Sequence, residues 1–541
     1  MTRKQALSRG AFIRGGLGAA TLPFIGCQTL GDRLSLLDIP STASPNYWCT
    51  WCTQDAALSS GRIVVPAQFD GDQGKASCSD CINEKTLFGE KGWVRYYPEV
   101  RSDLFFLLDE GWDEPYKKQV RTDEDFSKLG QLEPNPARFP SLGGDSAQKL
   151  SFIRHLAVDR GWRGLGVWVS PAKQDKEVWK RRFEVLAKGG VEYLKIDWGN
   201  NDTPEFRAWL TEQKRSILPH AIIEHTHVQG PTNGLHLDKN GQLVGTGRRF
   251  GDAEDQVALH ERVESVLPFS DVWRIYDMME KLQTVQAAER IAVYQELADR
   301  LRVKTVLSVE DRVYEGATLG CAFGVMRSPG LLNYAADDPE RNGGCLVEVQ
   351  RAVRWQRLAP AFGWQEGFEL RHSEQALFDE ASFVKGEHWC PFVKDGGRLR
   401  QGGPAVLARG LALPIVSPEK AGEQPFVMAS RHPEGALSVG VMPRMTNGRR
   451  KTPPVTVRLD AKIDANTPLG VFGFIGAIDL GLGEPISRVL ARDLAGGEDC
   501  DVTASCKIAN GRLIIAGRAL EDVCRARSAD GSAPGVLVRV S

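Results

Sequence analysis

The sequence predicts an α/β chain built as a (β/α)8 (TIM) barrel followed by a C-terminal antiparallel β-sandwich, and three observations carry that prediction. About eight short apolar runs lie between residues 47 and 333, and most end in a polar cluster. Helix-like stretches separate most of them. Beyond residue 370 the helical periodicity fades, and short β-rich runs alternate with Gly, Pro and Asp turns. Alternating strands and helices argue for a parallel sheet, and about eight such strands close a barrel. The β-rich remainder reads as a sandwich.

Taken in chain order, residues 1–27 stand outside the fold. Arg3, Lys4, Arg9 and Arg14 precede a short apolar stretch, 15–26, that is too brief to span a bilayer and reads as an export signal. Phe24-Ile25-Gly26-Cys27 is similar to a bacterial lipoprotein processing site. Cys27 is then either a lipid anchor to the membrane or an incidental cysteine in an ordinary signal; both place the protein in the periplasm or at the cell surface. Residues 28–45, rich in Ser, Pro and Thr, read as a tether. The expected barrel spans 46–370 and the sandwich 371–541. A chain of 541 residues is too long for one core, which agrees with two domains. With 68 basic and 69 acidic residues and no long run of one sign, nothing points to nucleic acid.

The barrel strands are expected at 47–51, 103–108, 164–169, 191–197, 221–223, 269–273, 303–309 and 324–333, with helices at 145–160, 173–188, 203–218 and 280–302. The later β runs lie at 425–429, 436–441, 455–459, 513–515 and 536–540. Ten cysteines follow Cys27, an even number that in an exported protein predicts some disulfides. Cys49, Cys52, Cys78 and Cys81 also have zinc-like spacing, a reading ranked below disulfides or free thiols.

Polar residues at the C-terminal ends of barrel strands converge on one face, where the chemistry of this fold occurs. Asp109, Glu110, Asp197, Glu224 and Asp277 are therefore expected in one pocket. The segment 191–198 is the most informative. With period-two alternation Tyr193, Lys195 and Asp197 share a face, so an ammonium projects beside a carboxylate and favours its ionised form. Such a carboxylate suits a nucleophile. His225 and His227 flank Glu224 in alternating register, and hydrogen-bonding roles are expected of them rather than metal binding. Trp162, Trp168 and Trp179 are expected to pack the barrel.

Several separated motifs now align in order. Trp48-x-x-Trp51, Leu108-Asp109-Glu110-Gly111-Trp112, the run from Asn135 to Pro140, Tyr193 to Asp197, Trp273-Arg274 and Arg327-Ser328-Pro329 together resemble the α-galactosidase clan of glycoside hydrolases, most closely family 27. The resemblance covers roughly residues 46–370. It implies a retaining exo-glycosidase that cleaves terminal α-D-galactosyl groups from an oligo- or polysaccharide by double displacement. It implies Asp197 as nucleophile and Asp277 as general acid/base. Trp51, Asp109, Glu110, Trp112, Lys195, Glu224 and Arg274 become substrate-binding residues, with Trp51 facing the sugar ring and Arg274 and Glu224 gripping its 2-hydroxyl region. No cofactor or metal is implied.

Three departures keep alternatives open. Asp277 stands one residue earlier than the family's acid/base, leaving Asp271, Glu280 and Asp311 as rivals and a non-catalytic carbohydrate-binding barrel as an alternative function. Glu110 replaces the usual aspartate, and its extra methylene would crowd the C6 hydroxymethyl of a galactoside. β-L-Arabinopyranose has the same ring stereochemistry without that group, so a β-L-arabinopyranosidase of the same mechanism is the closest alternative. Gly199 stands where relatives carry a disulfide-bonded cysteine.

Overall fold

The computed structural model describes residues 41–54, 78–113, 133–136, 138–171, 175–197, 203–226, 235–237, 243–245, 261–275, 280–326, 346–385, 393, 395–446, 448–528 and 531–541. Residues 1–40, with the expected export signal and Cys27, lie outside that set. So do Asp277, Trp198, His227 and Gly199.

The eight barrel strands are β1 (Tyr47–Cys49), β2 (Phe105–Leu108), β3 (Gly164–Val169), β4 (Tyr193–Ile196), β5 (Ile222–His225), β6 (Val272–Ile275), β7 (Val306–Glu310) and β8 (Ala322–Val325). All pair in parallel, and β1 closes the ring by bonding to both β2 and β8. The last strand starts two residues before its expected beginning, and residues 327–333 of the expected run lie outside the described residues; the Asp311 side chain accepts from the Met326 N–H at 2.8 Å. Two interior glycines let large side chains fill the ring. A Cβ on Gly324 would lie 2.5 Å from the Tyr47 ring, and one on Gly166 would lie 3.1 Å from Leu107 and Tyr193.

Outside the ring, local signals start three of the helices. Asp145 forms a capping box with Gln148 ahead of Ser146–Val158. Asp175 caps Lys176–Gly189, and Gly190 ends that helix in the left-handed conformation. Thr203, followed by Pro204 at the first turn, caps Pro204–Ile217. Each helix matches its expected span to within a few residues.

The C-terminal β region holds an eight-stranded and a five-stranded sheet around a shared apolar core. Pairing is predominantly antiparallel, with parallel steps such as Val455–Ile463 beside Ala477–Leu482. Strand Phe426–Arg431 is almost wholly apolar and buried, for a reason its period explains. Phe426 and Met428 face the core shared with the barrel, whereas Val427 and Ala429 face the core between the sheets. The outward strand Val455–Ile463 instead alternates buried and accessible residues.

One connection was not legible. The segment after β5 contributes strands Leu235–Leu237 and Leu243–Gly245, and the first pairs with Asp395–Pro404 of the C-terminal half. Among the described residues Cys49, Cys321, Cys500, Cys506 and Cys524 are free thiols, while Cys27, Cys345 and Cys390 lie outside that set.

Candidate active site

Register sets the site. Trp168, Lys195 and Glu224 are direct partners across β3, β4 and β5, so their side chains enter the ring at one level. Asp197 follows β4 at the C-terminal mouth, its N–H donating to the Val169 carbonyl at 3.0 Å. From the helix behind, buried Arg207 donates to the Asp197 carbonyl at 2.5 Å and holds the turn. Arg207 also contacts His225, whose other ring nitrogen meets Thr211 at 2.8 Å. His225 therefore belongs to the outer wall as a hydrogen-bonding residue.

Asp197 is almost fully buried yet held as an anion. Its Oδ1 lies 3.1 Å from Arg274 Nη2, and its Oδ2 accepts from Trp168 Nε1 at 2.9 Å. Burial pushes its pKa upward. The charges of Arg274 and Lys195, with the indole hydrogen bond, outweigh that and hold it below the usual value. Trp168, expected as barrel packing, is thus a direct partner of the carboxylate. A packing tryptophan and one that donates from a strand end have the same sequence pattern.

Lys195 makes its short contact elsewhere than expected. Its Nζ lies 2.6 Å from Asp109 Oδ2, the oxygen that also accepts the Cys49 thiol at 2.9 Å. Burial lowers the ammonium's pKa, but Asp109 and other anions more than restore it. Burial and Asp109 push the Cys49 thiol up, so it remains protonated. Cys49 is therefore engaged inside the barrel, which takes it out of a zinc set with Cys52, Cys78 and Cys81. The Asp109 side chain is itself oriented by the Glu110 N–H at 2.8 Å, and the Glu110 carbonyl accepts from Gln54 at 3.1 Å. Glu110 is buried at the same rim.

Arg274 is the hub. Its Nε donates to Glu224 Oε1 at 3.0 Å and its Nη1 to Glu310 Oε1 at 2.7 Å, while Nη2 faces Asp197. Glu224 does not meet the expectation of gripping substrate. Its Oε1 also accepts from Tyr47 at 3.2 Å and its Oε2 from Tyr193 at 2.7 Å, and the side chain is wholly buried. It forms the floor that orients Arg274. Burial raises its pKa to about 7 despite the guanidinium. Glu310, the last residue of β7, joins the hub although no sequence motif points to it.

Two further expectations change. Trp112 is wholly buried in the main core, its Nε1 donating to the Trp168 carbonyl at 3.1 Å, so it braces β3 and does not line a sugar site. Asp271 lies before β6, at the opposite end of the ring from Asp197, and its Oδ2 pairs with Lys214 at 2.7 Å. That removes it as a rival acid/base. Trp51 is half-buried against the interior cluster of Tyr47, Cys49 and Met326. Trp51, Asp109, Glu110, Lys195, Asp197 and Arg274 thus gather at the mouth. The result is an ionised carboxylate beside a buried ammonium–carboxylate pair.

No family model and no curated protein matches the chain. Solved structures similar to it include a GH27 β-L-arabinopyranosidase from Geobacillus stearothermophilus, at 10% identity over 94% of this chain and 98% of that one, with a TM-score of 0.39. A cyclomaltodextrin glucanotransferase is similar at 8% identity over 92% and 100%, with a TM-score of 0.40. The carboxyl transferase domain of Rhizobium etli pyruvate carboxylase is similar at 12% identity over 61% and 52%, with a TM-score of 0.30. At such identities and TM-scores these likenesses carry no inference about chemistry.

Proposed function

We propose that the protein is a retaining exo-glycoside hydrolase acting on terminal α-D-galactosyl groups, with Asp197 as nucleophile and Asp277 as general acid/base. The observation that carries this reading is Asp197 itself: a buried carboxylate at the barrel mouth, kept ionised by Arg274 and Trp168. In the first step Asp197 attacks the anomeric carbon and forms a glycosyl ester, while the acid protonates the departing oxygen. In the second, water deprotonated by the same residue displaces Asp197, restoring the original configuration. The Lys195–Asp109 pair and Glu110 supply donors and acceptors for ring hydroxyls, and Trp51 an apolar face. Export of the chain, with Cys27 as a lipid anchor, belongs to the same proposal.

The second reading is a β-L-arabinopyranosidase, and Glu110 favours it: the longer carboxylate sits at the buried rim beside Asp109. A panel of p-nitrophenyl α-D-galactopyranoside and β-L-arabinopyranoside, run on wild type and Asp197→Asn, tests both. The Asn variant should lose at least about 10³-fold in kcat. Ordinary turnover by it would remove the nucleophile assignment. Glu110→Asp should shift the preference toward the galactoside; an unchanged ratio would remove the argument from side-chain length.

A further inference from the structure

One residue beyond Glu310 the chain leaves the barrel mouth and enters a second cavity. Asp311, held at φ 52°, and Arg312 form its barrel side. The C-terminal sheets and the short hairpin of Arg444–Thr446 and Arg449–Lys451 form its other walls. Its volume is about 840 Å³, within the roughly 300–1,000 Å³ ordinary for small-molecule sites.

The charge of this cavity is unlike that of the catalytic mouth. Among the described residues, five cations line it, Lys281, Arg312, Arg449, Arg450 and Lys451, against three acids, Asp311, Glu315 and Glu348. Arg312 spends its charge on Glu315, with Nε 2.6 Å from that carboxylate. Glu348 is turned to the Ala533 N–H at 2.7 Å, and burial pushes its carboxyl up toward the neutral form. Arg449 and Lys451, on a strand whose three residues are all exposed, bring positive charge to this wall. Beside them Phe474 is 40% exposed and lines the same space, with Val441 and Met442 adding apolar wall. Cations and an accessible aromatic ring in one cavity suit a ligand with anionic groups on a ring that has an apolar face. A bare phosphate or sulfate would leave the ring and the apolar wall unused.

We propose that this cavity is a second saccharide site, selective for acidic sugars such as uronate-bearing oligosaccharides. That the ligand is a saccharide rests on the glycosidase reading; that it is anionic rests on the cavity. The site would hold an acidic part of the glycan whose terminal residue occupies the mouth, since Glu310 and Asp311 are consecutive.

The test is binding measured by calorimetry, with trigalacturonate, a neutral galactotriose and inorganic sulfate as probes. Trigalacturonate should bind at least about tenfold more tightly than either of the others, and more weakly as salt is raised. The double variant Arg449→Glu/Lys451→Glu should abolish that preference, and Arg449→Gln/Lys451→Gln should reduce it, both with an unchanged melting temperature and unchanged turnover of p-nitrophenyl glycosides. Equal binding of the neutral trimer overturns the proposal. So does sulfate binding as tightly as the trimer, or trimer binding untouched by the double variants. A protein that binds trigalacturonate in this way yet hydrolyses no glycoside would overturn the catalytic reading and leave this site standing.

Discussion

Two buried arginines, Arg274 at the barrel mouth and Arg351 at the junction with the C-terminal sheets, show how one residue type serves two ends. Arg351 meets a single carboxylate in a two-pronged pair, Nε to Asp493 Oδ1 at 2.8 Å and Nη2 to Oδ2 at 2.9 Å. The Ala533 carbonyl and the Ser528 hydroxyl take further N–H groups, so the charge is balanced locally. Arg274 is shared by Glu224, Glu310 and Asp197, three carboxylates around one cation. Lys195 offsets little of that surplus by contact, because it lies against Asp109. A matched pair secures an interface. In the proposed mechanism, an arginine divided among three acids holds the nucleophile in place and leaves negative charge in the site to stabilise a developing sugar cation.

Substitution at the two positions should separate these roles, and this is the largest contrast expected. Arg274→Lys keeps the charge but cannot reach three acids at once. It should lower kcat by at least about 100-fold while the fold persists. Arg351→Ala leaves buried Asp493 with the Ala495 N–H but without its counter-ion and should cost about 3–5 kcal/mol of stability, with kcat and KM of the remaining folded protein unchanged. Denaturant unfolding together with steady-state kinetics checks both. An Arg351 variant that is inactive but fully stable would erase the distinction, as would an Arg274→Lys enzyme of near wild-type rate.

A smaller effect belongs to Trp168. Trp168→Phe keeps the ring and removes the donor to Asp197 Oδ2. Because that bond favours the ionised carboxylate, its loss raises the pKa of Asp197 toward the usual value. The acidic limb of kcat/KM should move to higher pH, with a fall of about tenfold on its plateau, the worth of one charge-assisted bond. A pH profile that does not move would mean Arg274 alone sets the ionisation of Asp197.

The difference between the two arginines also marks what the sequence could disclose. Barrel strands and the Lys195–Asp197 alternation were readable, because period two and the polar strand ends are local patterns. The partners of those residues were not. Lys195 lies against Asp109, 86 positions away, and Glu224 is satisfied by Tyr47 and Tyr193 from two other strands. Only the closed ring fixes which inward side chains meet, and Gly324 decides that Tyr47 can enter at all. Arg351 carried no motif, since a balanced pair across a domain junction has no spacing to recognise. Strand 235–237 was missed for a related reason: its partner, 395–404, lies in the other half of the chain.

Burial, with a smaller contribution from the Glu310 charge, predicts a pH effect at Glu224, the most deeply placed of the three acids. Its folded pKa is raised from 4.5 to about 7. A carboxyl with a raised folded pKa contributes stability that is fully present below about pH 4.5 and is lost as pH rises through about 7. Asp197 has the opposite sign. Its lowered pKa gives stability present above 3.8 and lost only as pH falls through the folded value, so the two windows do not overlap. Glu224→Gln retains the shape and an acceptor for Arg274 and Tyr47 but cannot ionise. Its melting temperature should therefore gain steadily on that of wild type as pH rises from about 4.5 to about 7, the interval between the unfolded and folded values. Parallel curves would mean that Glu224 is already an anion throughout. The charge surplus would then be carried by Glu310 at the rim, and the floor of the site would be as well matched as the Arg351 junction.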